Sequence, residues 1–403
     1  MTKQKVRASI LALAVLLSIL FILSFVYTLV YGVELWGISN KTVWGIAIVN
    51  FVFWIGNSHA GTLISAIFYL LRHDWRNSIH RIAETITIIS ILIAGLFPLI
   101  HLGRPWFFYW MLPLPIQTMH WANFKSPLIW DVVAVLAYAL LSVLFWFLGI
   151  IPDYRFVISK KMKALISKFW VGSNYDWNDF QWTYNLLAGI LTAVVVSIHS
   201  IVSYDFSVSI LPLWHSTMLP IFFVVGAIYS GVALILFCTT LLGAIGSFAE
   251  EITPKSQEIL SKLLLAFSWI VLYFYLVEIF FVFYSQNTFE KTVFVLRLTK
   301  YFLPFYCTMI TLTFFIPQLL WIGKFRRNKK ANFIVSLSVV LGMWLERYLL
   351  IIPALSLDLV NKQMEIYTPT IISFMLTFGS VGLFVLFFYA IGKVIPLIPR
   401  FEN

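Results

Sequence analysis

Two cysteines, Cys238 and Cys307, are all the thiol chemistry this 403-residue chain carries. Both fall inside apolar runs, with no spacing that suits an iron–sulfur cluster or a Cys-x-x-Cys-His haem attachment, and no disulfide is expected of them. Charge is scarce as well: 11% of residues are Asp, Glu, Lys or Arg, against about 25% in an average soluble domain. With 61% hydrophobic residues and many apolar runs near the roughly 20 residues that cross a bilayer, a soluble fold is excluded and an all-α polytopic membrane protein is expected. The formal charge of +11 does not point to nucleic acid, because the basic residues lie in short clusters between apolar runs, the pattern that orients a membrane protein.

The apolar runs predict ten spans, near 8–31, 42–71, 83–101, 127–151, 182–203, 216–246, 262–284, 300–322, 331–352 and 369–395. The first is preceded by basic residues, exceeds the roughly 7–15 residues of a signal-peptide core and lacks a small-residue cleavage site, so it is expected to remain as a helix. An even number of spans puts both termini on one side. If that side is the cytoplasm, the inner loops receive 20 of the 28 Lys and Arg, and the outer loops only Lys41, Arg104, Lys125, Lys291, Arg297, Lys300 and Lys362. The bias predicts a multi-pass inner-membrane protein with cytoplasmic termini. The whole chain, 1–403, reads as one membrane domain: a first four-helix bundle over about 42–203, a second over about 216–352, and flanking helices near 8–31 and 369–395.

Ionisable residues inside a membrane are expensive and are functional candidates by default. His101 ends the third span and Asp131 begins the fourth, at similar depth near the outer surface. Between them run Trp106, Phe107, Phe108, Tyr109, Trp110, Trp121, Phe124 and Trp130, broken by Pro105, Pro113, Pro115 and Pro127. These rings suit either an interfacial belt or a lid over a hydrophobic ring-shaped ligand. The His–Asp pair suits oxidation of a hydroquinone, which loses two protons as its electrons leave: an imidazole accepts one while a carboxylate orients it. The structural alternative is a snorkelling His and an Asp capping the first turn of its helix.

Other polar groups lie deeper. Glu84, Thr87, Ile91, Ala94, Pro98 and His101 share one face of the third span, and the 17 residues from Glu84 to His101 cover about 25 Å, close to the apolar thickness. That face suits a proton path or close helix packing. His59, with Ser58, Thr62, Ser65 and Tyr69 at helical spacing, lies mid-membrane in the second span. A haem there would need a second His at the same depth, and the chain order sets His101, His199 and His215 nearer the outer side and His73 and His80 nearer the inner, so none is expected. Glu278 in the seventh span and Glu346-Arg347 in the ninth suggest a Glu278–Arg347 ion pair or a second proton half-path. Asp205 and His199, near the outer end of the fifth span, are placed by topology to line the first cavity.

Three runs carry a resemblance. Gly56-Asn-Ser-His59-Ala-Gly-Thr-Leu-Ile-Ser65, Gly95-Leu-Phe-Pro98-Leu-Ile-His101-Leu-Gly103-Arg104-Pro105-Trp106 and Phe124-Lys-Ser126-Pro127-Leu-Ile-Trp130-Asp131 resemble the polysulfide reductase NrfD family, and within it the quinol-oxidising membrane subunit of alternative complex III. The resemblance covers about residues 45–153; the rest matches in hydropathy and span count. It implies a ten-helix subunit with no haem or iron–sulfur cluster of its own, taking menaquinol or ubiquinol as substrate. His101 and Asp131 match the family's quinol-contacting residues, with Arg104, Trp106 and Asp205 expected beside them. The implied partners are a periplasmic iron–sulfur subunit, a multihaem cytochrome c subunit and other membrane subunits, including a paralogous NrfD-like one. The same site run in reverse would make a quinone reductase, and a subunit without the His–Asp pair would be a structural anchor. A secondary transporter would show paired Gly/Pro interruptions in its two halves, and only scattered prolines occur.

Overall fold

A computed structural model of the chain describes residues 3–111, 126–245, 252–299, 301–358 and 365–400. Ten helices in it are long and apolar enough to cross a membrane: α1 Lys3–Tyr31, α2 Ile46–Leu70, α3 His80–His101, α4 Pro127–Ile150, α5 Asn174–Ser207, α6 Leu219–Ala244, α7 Pro254–Tyr284, α8 Leu303–Trp321, α9 Lys329–Ser356 and α10 Ile371–Val394. Pro113, Pro115, Trp121, Phe124, Lys125, Lys300 and Lys362 lie outside the described residues, as does the side chain of Trp110.

The hydrophobic runs mark the spans, while polar caps mark where the helices stop. α5 begins at Asn174, eight residues before its apolar run, because Ser173 and Asp176 form a reciprocal capping box. α7 likewise begins at Pro254, where Thr253 accepts from the Ser256 N–H and proline supplies the first helical position. α2 starts later than its run, at Ile46, whose N–H donates to the Tyr367 hydroxyl. α8 is irregular, passing through a π turn at Thr311–Phe315 and a 3₁₀ stretch at Ile316–Trp321.

Four helices close a first ring, α2 on α3, α3 on α4, α4 on α5 and α5 on α2, and four close a second, α6 on α7, α7 on α8, α8 on α9 and α9 on α6. α2 joins the rings by packing on α6 and α9, and α1 pairs with α10 alongside α2 and α3. Burial follows this plan: the most apolar window of α2 is 88% buried, whereas those of α1, α4, α7 and α8 are 22–28% buried and turn leucine, phenylalanine and tryptophan outward. Small residues set the closest approaches, as packing in lipid requires. A Cβ at Gly61 would fall on the Ala83 carbonyl of α3, and one at Gly379 or Gly382 would meet the α1 backbone. The end of the bundle that carries His101 and Asp131 is termed outer. At the inner end, the buried Arg81–Asp153 ion pair, 2.7 Å, ties α3 to the turn after α4, and Asp153 also receives the Arg400 N–H.

Candidate functional site

Asp131 stands five residues into α4, and its helix is not capped by it: Ser126 occupies the cap position and α4 has no acidic residue in its first turn. The side chain instead turns into the first ring, 6% exposed, where its carboxyl meets that of Asp205 near the end of α5. Two carboxyl groups hydrogen-bond by sharing a proton, so the pair is a built place to hold one. Each also keeps a buried Oδ1 without a partner, leaving acceptor capacity for a ligand hydroxyl.

His101 lies at the same outer end, where α3 stops, and among the described residues no hydrogen bond, ion pair or ring contact joins it to Asp131. Its ring packs on Trp36, centroids 5.8 Å apart, and its buried Nδ1 has no partner. Trp36 is itself 1% exposed and anchored through Nε1 to Thr28, so it fixes the imidazole from the segment between α1 and α2. Arg104 and Trp106 lie at the exposed outer surface, Trp106 beside Phe107 at 6.3 Å, and neither makes a described contact with the carboxyl pair.

Below this level, a polar cluster crosses from α3 to α5. Thr87 and Tyr138 both donate to the Ser58 carbonyl, at 2.7 and 2.9 Å, and Thr62 lies 3.0 Å from the Tyr138 hydroxyl. The His59 ring stacks on Tyr138 at 4.7 Å, and its other neighbour is His199, 4.6 Å away. His199 therefore lies at the depth of His59, contrary to the placement expected from chain order. α5 extends beyond its apolar run, so distance from its end overstates closeness to the surface. The two imidazoles pack directly on one another, leaving no room for a planar macrocycle between them. His59 Nε2 and both ring nitrogens of His199 are buried and unpartnered.

At the inner end Glu84, 3% exposed, accepts from the Tyr184 hydroxyl at 3.1 Å and keeps Oε2 unpartnered. The α3 face from Glu84 to His101 is inward, yet beyond Thr87 its one polar side chain before His101 is the buried, unpartnered Ser90, followed by Ile91, Ala94 and Pro98. The polar contacts leave α3 at Thr87 and pass through the Ser58 carbonyl and Tyr138 to the two stacked histidines; among the described residues no hydrogen bond or ring contact joins His199 to Asp205, six residues further along α5. Tyr138, Tyr184 and Trp36 do not stand out from the sequence as site residues. Tyr138 was recoverable, since Asp131, Ala134, Tyr138, Ser142 and Phe145 form a buried stripe at helical spacing.

The second ring corrects the expected Glu278–Arg347 pair. Glu278 is bound instead by Arg297, 2.8 Å, from the surface helix Thr288–Arg297, which folds back over the outer end. Arg347 lies 3.1 Å from its neighbour Glu346 without alignment for a hydrogen bond, and its guanidinium covers the Phe223 ring at 4.4 Å. Neither side chain reaches the first-ring cluster directly.

Comparison with known proteins gives a consistent picture. A family model described as Polysulphide reductase, NrfD matches residues 34–357. Over 94% of the chain and 92% of the relative, the sequence is 26% identical to a selenate reductase subunit of Mesobacillus selenatarsenatis. It is 24% identical, over 60% of the chain and 53% of the relative, to a protein of Halobacterium salinarum provisionally named as a dimethyl sulfoxide reductase membrane subunit.

Proposed function

The chain belongs to the polysulphide reductase NrfD family, and on that premise we propose that it is the quinol-oxidising membrane subunit of a multi-subunit redox complex. The observation that carries the reading is the buried Asp131–Asp205 carboxyl pair, open at both Oδ1 atoms, near the outer end of the first ring. A quinol becomes a quinone by losing two electrons and two protons. Asp131 takes one hydroxyl proton into the pair it shares with Asp205, and His101, held by Trp36, takes the other through its free ring nitrogen. Arg104 and Trp106 guard the entrance. The electrons leave to an iron–sulfur subunit docked on the outer face and thence to further partners; menaquinol or ubiquinol is the substrate.

The names of two relatives, a selenate reductase subunit and a provisionally named dimethyl sulfoxide reductase membrane subunit, support this direction, since a reductase takes up electrons for its substrate. The motif resemblance to alternative complex III supports a second acceptor, c-type haems, for the same chemistry. The route from Glu84 through Thr87, Tyr138, His59 and His199 to Asp205 offers a proton path across the first ring, with the inner end and both termini in the cytoplasm of an inner membrane. Isolating the intact complex from membranes tests the assignment. Co-purification of an iron–sulfur subunit and bound quinone, with quinol-dependent reduction of that subunit, is expected; a complex that lacks both would overturn it.

A further inference from the structure

A cavity of about 700 Å³ lies at the outer end of the second ring, between α6, α7, α8, α9 and the surface helix Thr288–Arg297. α5 separates it from the carboxyl pair: Asp205 meets Asp131, whereas its neighbour Tyr204 lines this second space. The volume falls within the roughly 300–1,000 Å³ of small-molecule sites, and the walls are mainly apolar and aromatic, with Phe222, Phe274 and Phe281 among them.

A few polar atoms converge on it. Arg297 is 4% exposed and uses one nitrogen on Glu278, leaving Nε and Nη2 buried and unpartnered. The Tyr275 hydroxyl, 6% exposed by residue, is also without a hydrogen-bond partner, whereas Glu346 Oε2 faces the Arg347 guanidinium at 3.1 Å. Unpaired buried donors of this kind are rare in a finished core and are satisfied by what binds there. The lining holds three carboxylates, Glu278, Glu290 and Glu346, against one guanidinium, Arg297, and Arg347 beside Glu346 raises the cations only to two, so the balance stays negative. A phosphate headgroup would meet net repulsion; a neutral flat ring with acceptor oxygens would not.

We propose that this cavity is a second binding site for a quinone-class amphiphile, its ring oxygens taken by Arg297 and Tyr275. The choice of quinone over another neutral ring rests on the function proposed above. The probe is a photoreactive azido-naphthoquinone with a short isoprenoid tail, applied to the assembled complex in phosphatidylcholine nanodiscs, with cross-links mapped by mass spectrometry. Cross-links are expected both in α4 over 127–134 and in the second ring over 274–281 or 346–350. Val277→Trp, which fills the cavity from its half-buried side, should abolish the second set and leave the first unchanged. Arg297→Gln should weaken the second set about tenfold, the equivalent of one lost hydrogen bond. Cross-links confined to α4, or second-ring cross-links that survive Val277→Trp, would overturn the proposal and leave the first site standing. Cross-links confined to the second ring would support it while refuting the first site.

Discussion

Replacing Asp131 by Asn changes the chemistry of the first ring while barely changing its shape. The side chain is 6% exposed and its one described polar neighbour is the Asp205 carboxyl. In the variant an amide N–H would donate to Asp205, so the buried pair stays hydrogen-bonded and the four-helix ring should hold. What disappears is a group able to take a proton from the substrate. Loss of a general base typically slows a reaction about 10²- to 10⁴-fold, a barrier increase of about 2.7–5.4 kcal/mol at 1.36 kcal/mol per tenfold. Asp205→Asn should fall in the same range, because either substitution leaves one carboxyl with no partner to share a proton. The double variant should be little slower than either single one, since residues acting as a unit are not additive. The assay is quinol-dependent reduction of the partner subunit in the purified complex, with partner content measured alongside. A fully assembled Asp131→Asn complex within threefold of the wild-type rate would refute the reasoning.

Other expectations follow from the same geometry. His101→Ala should lower quinol oxidation by about 10²-fold or more with assembly intact, because the ring rests on Trp36 rather than supporting the fold; near-normal turnover would favour a structural-anchor subunit. Glu84→Gln keeps an acceptor for Tyr184 and should leave most electron transfer in place while lowering any coupled proton movement; an unchanged proton-to-electron ratio would reduce the Glu84 column to packing. Single cysteines placed at residues 160 and 327 should react with membrane-impermeant reagent only from the cytoplasmic side, and labelling from the periplasmic side alone would invert the topology.

The number of spans was legible because a run of about 20 apolar residues has one cheap solution in lipid, a helix that satisfies its own backbone. Helix ends were less so, as Ser173, Thr253 and Asn328 begin their helices in polar flanks that hydropathy does not weigh. Asp131 stood out by its cost in a membrane. Asp205 was placed at the first cavity by topology, but its pairing with Asp131 was not legible, because hydropathy fixes a helix's length and depth but not its rotation, and rotation turns Asp205 toward α4. The misplacement of His199 has the same root: α5 runs 34 residues, so depth counted from its end carries an offset that only packing reveals. Arg297 reads in the sequence as an outer-loop charge, and only the folding back of its short helix brings it to Glu278.

The central claim is that the Asp131–Asp205 pair receives a proton from quinol. Infrared difference spectroscopy of the assembled complex, oxidised against quinol-reduced, reads carboxyl protonation directly. A carboxylic C=O band should change on quinol turnover and vanish in both Asp131→Asn and Asp205→Asn. A band that persists unaltered in both variants would contradict the account.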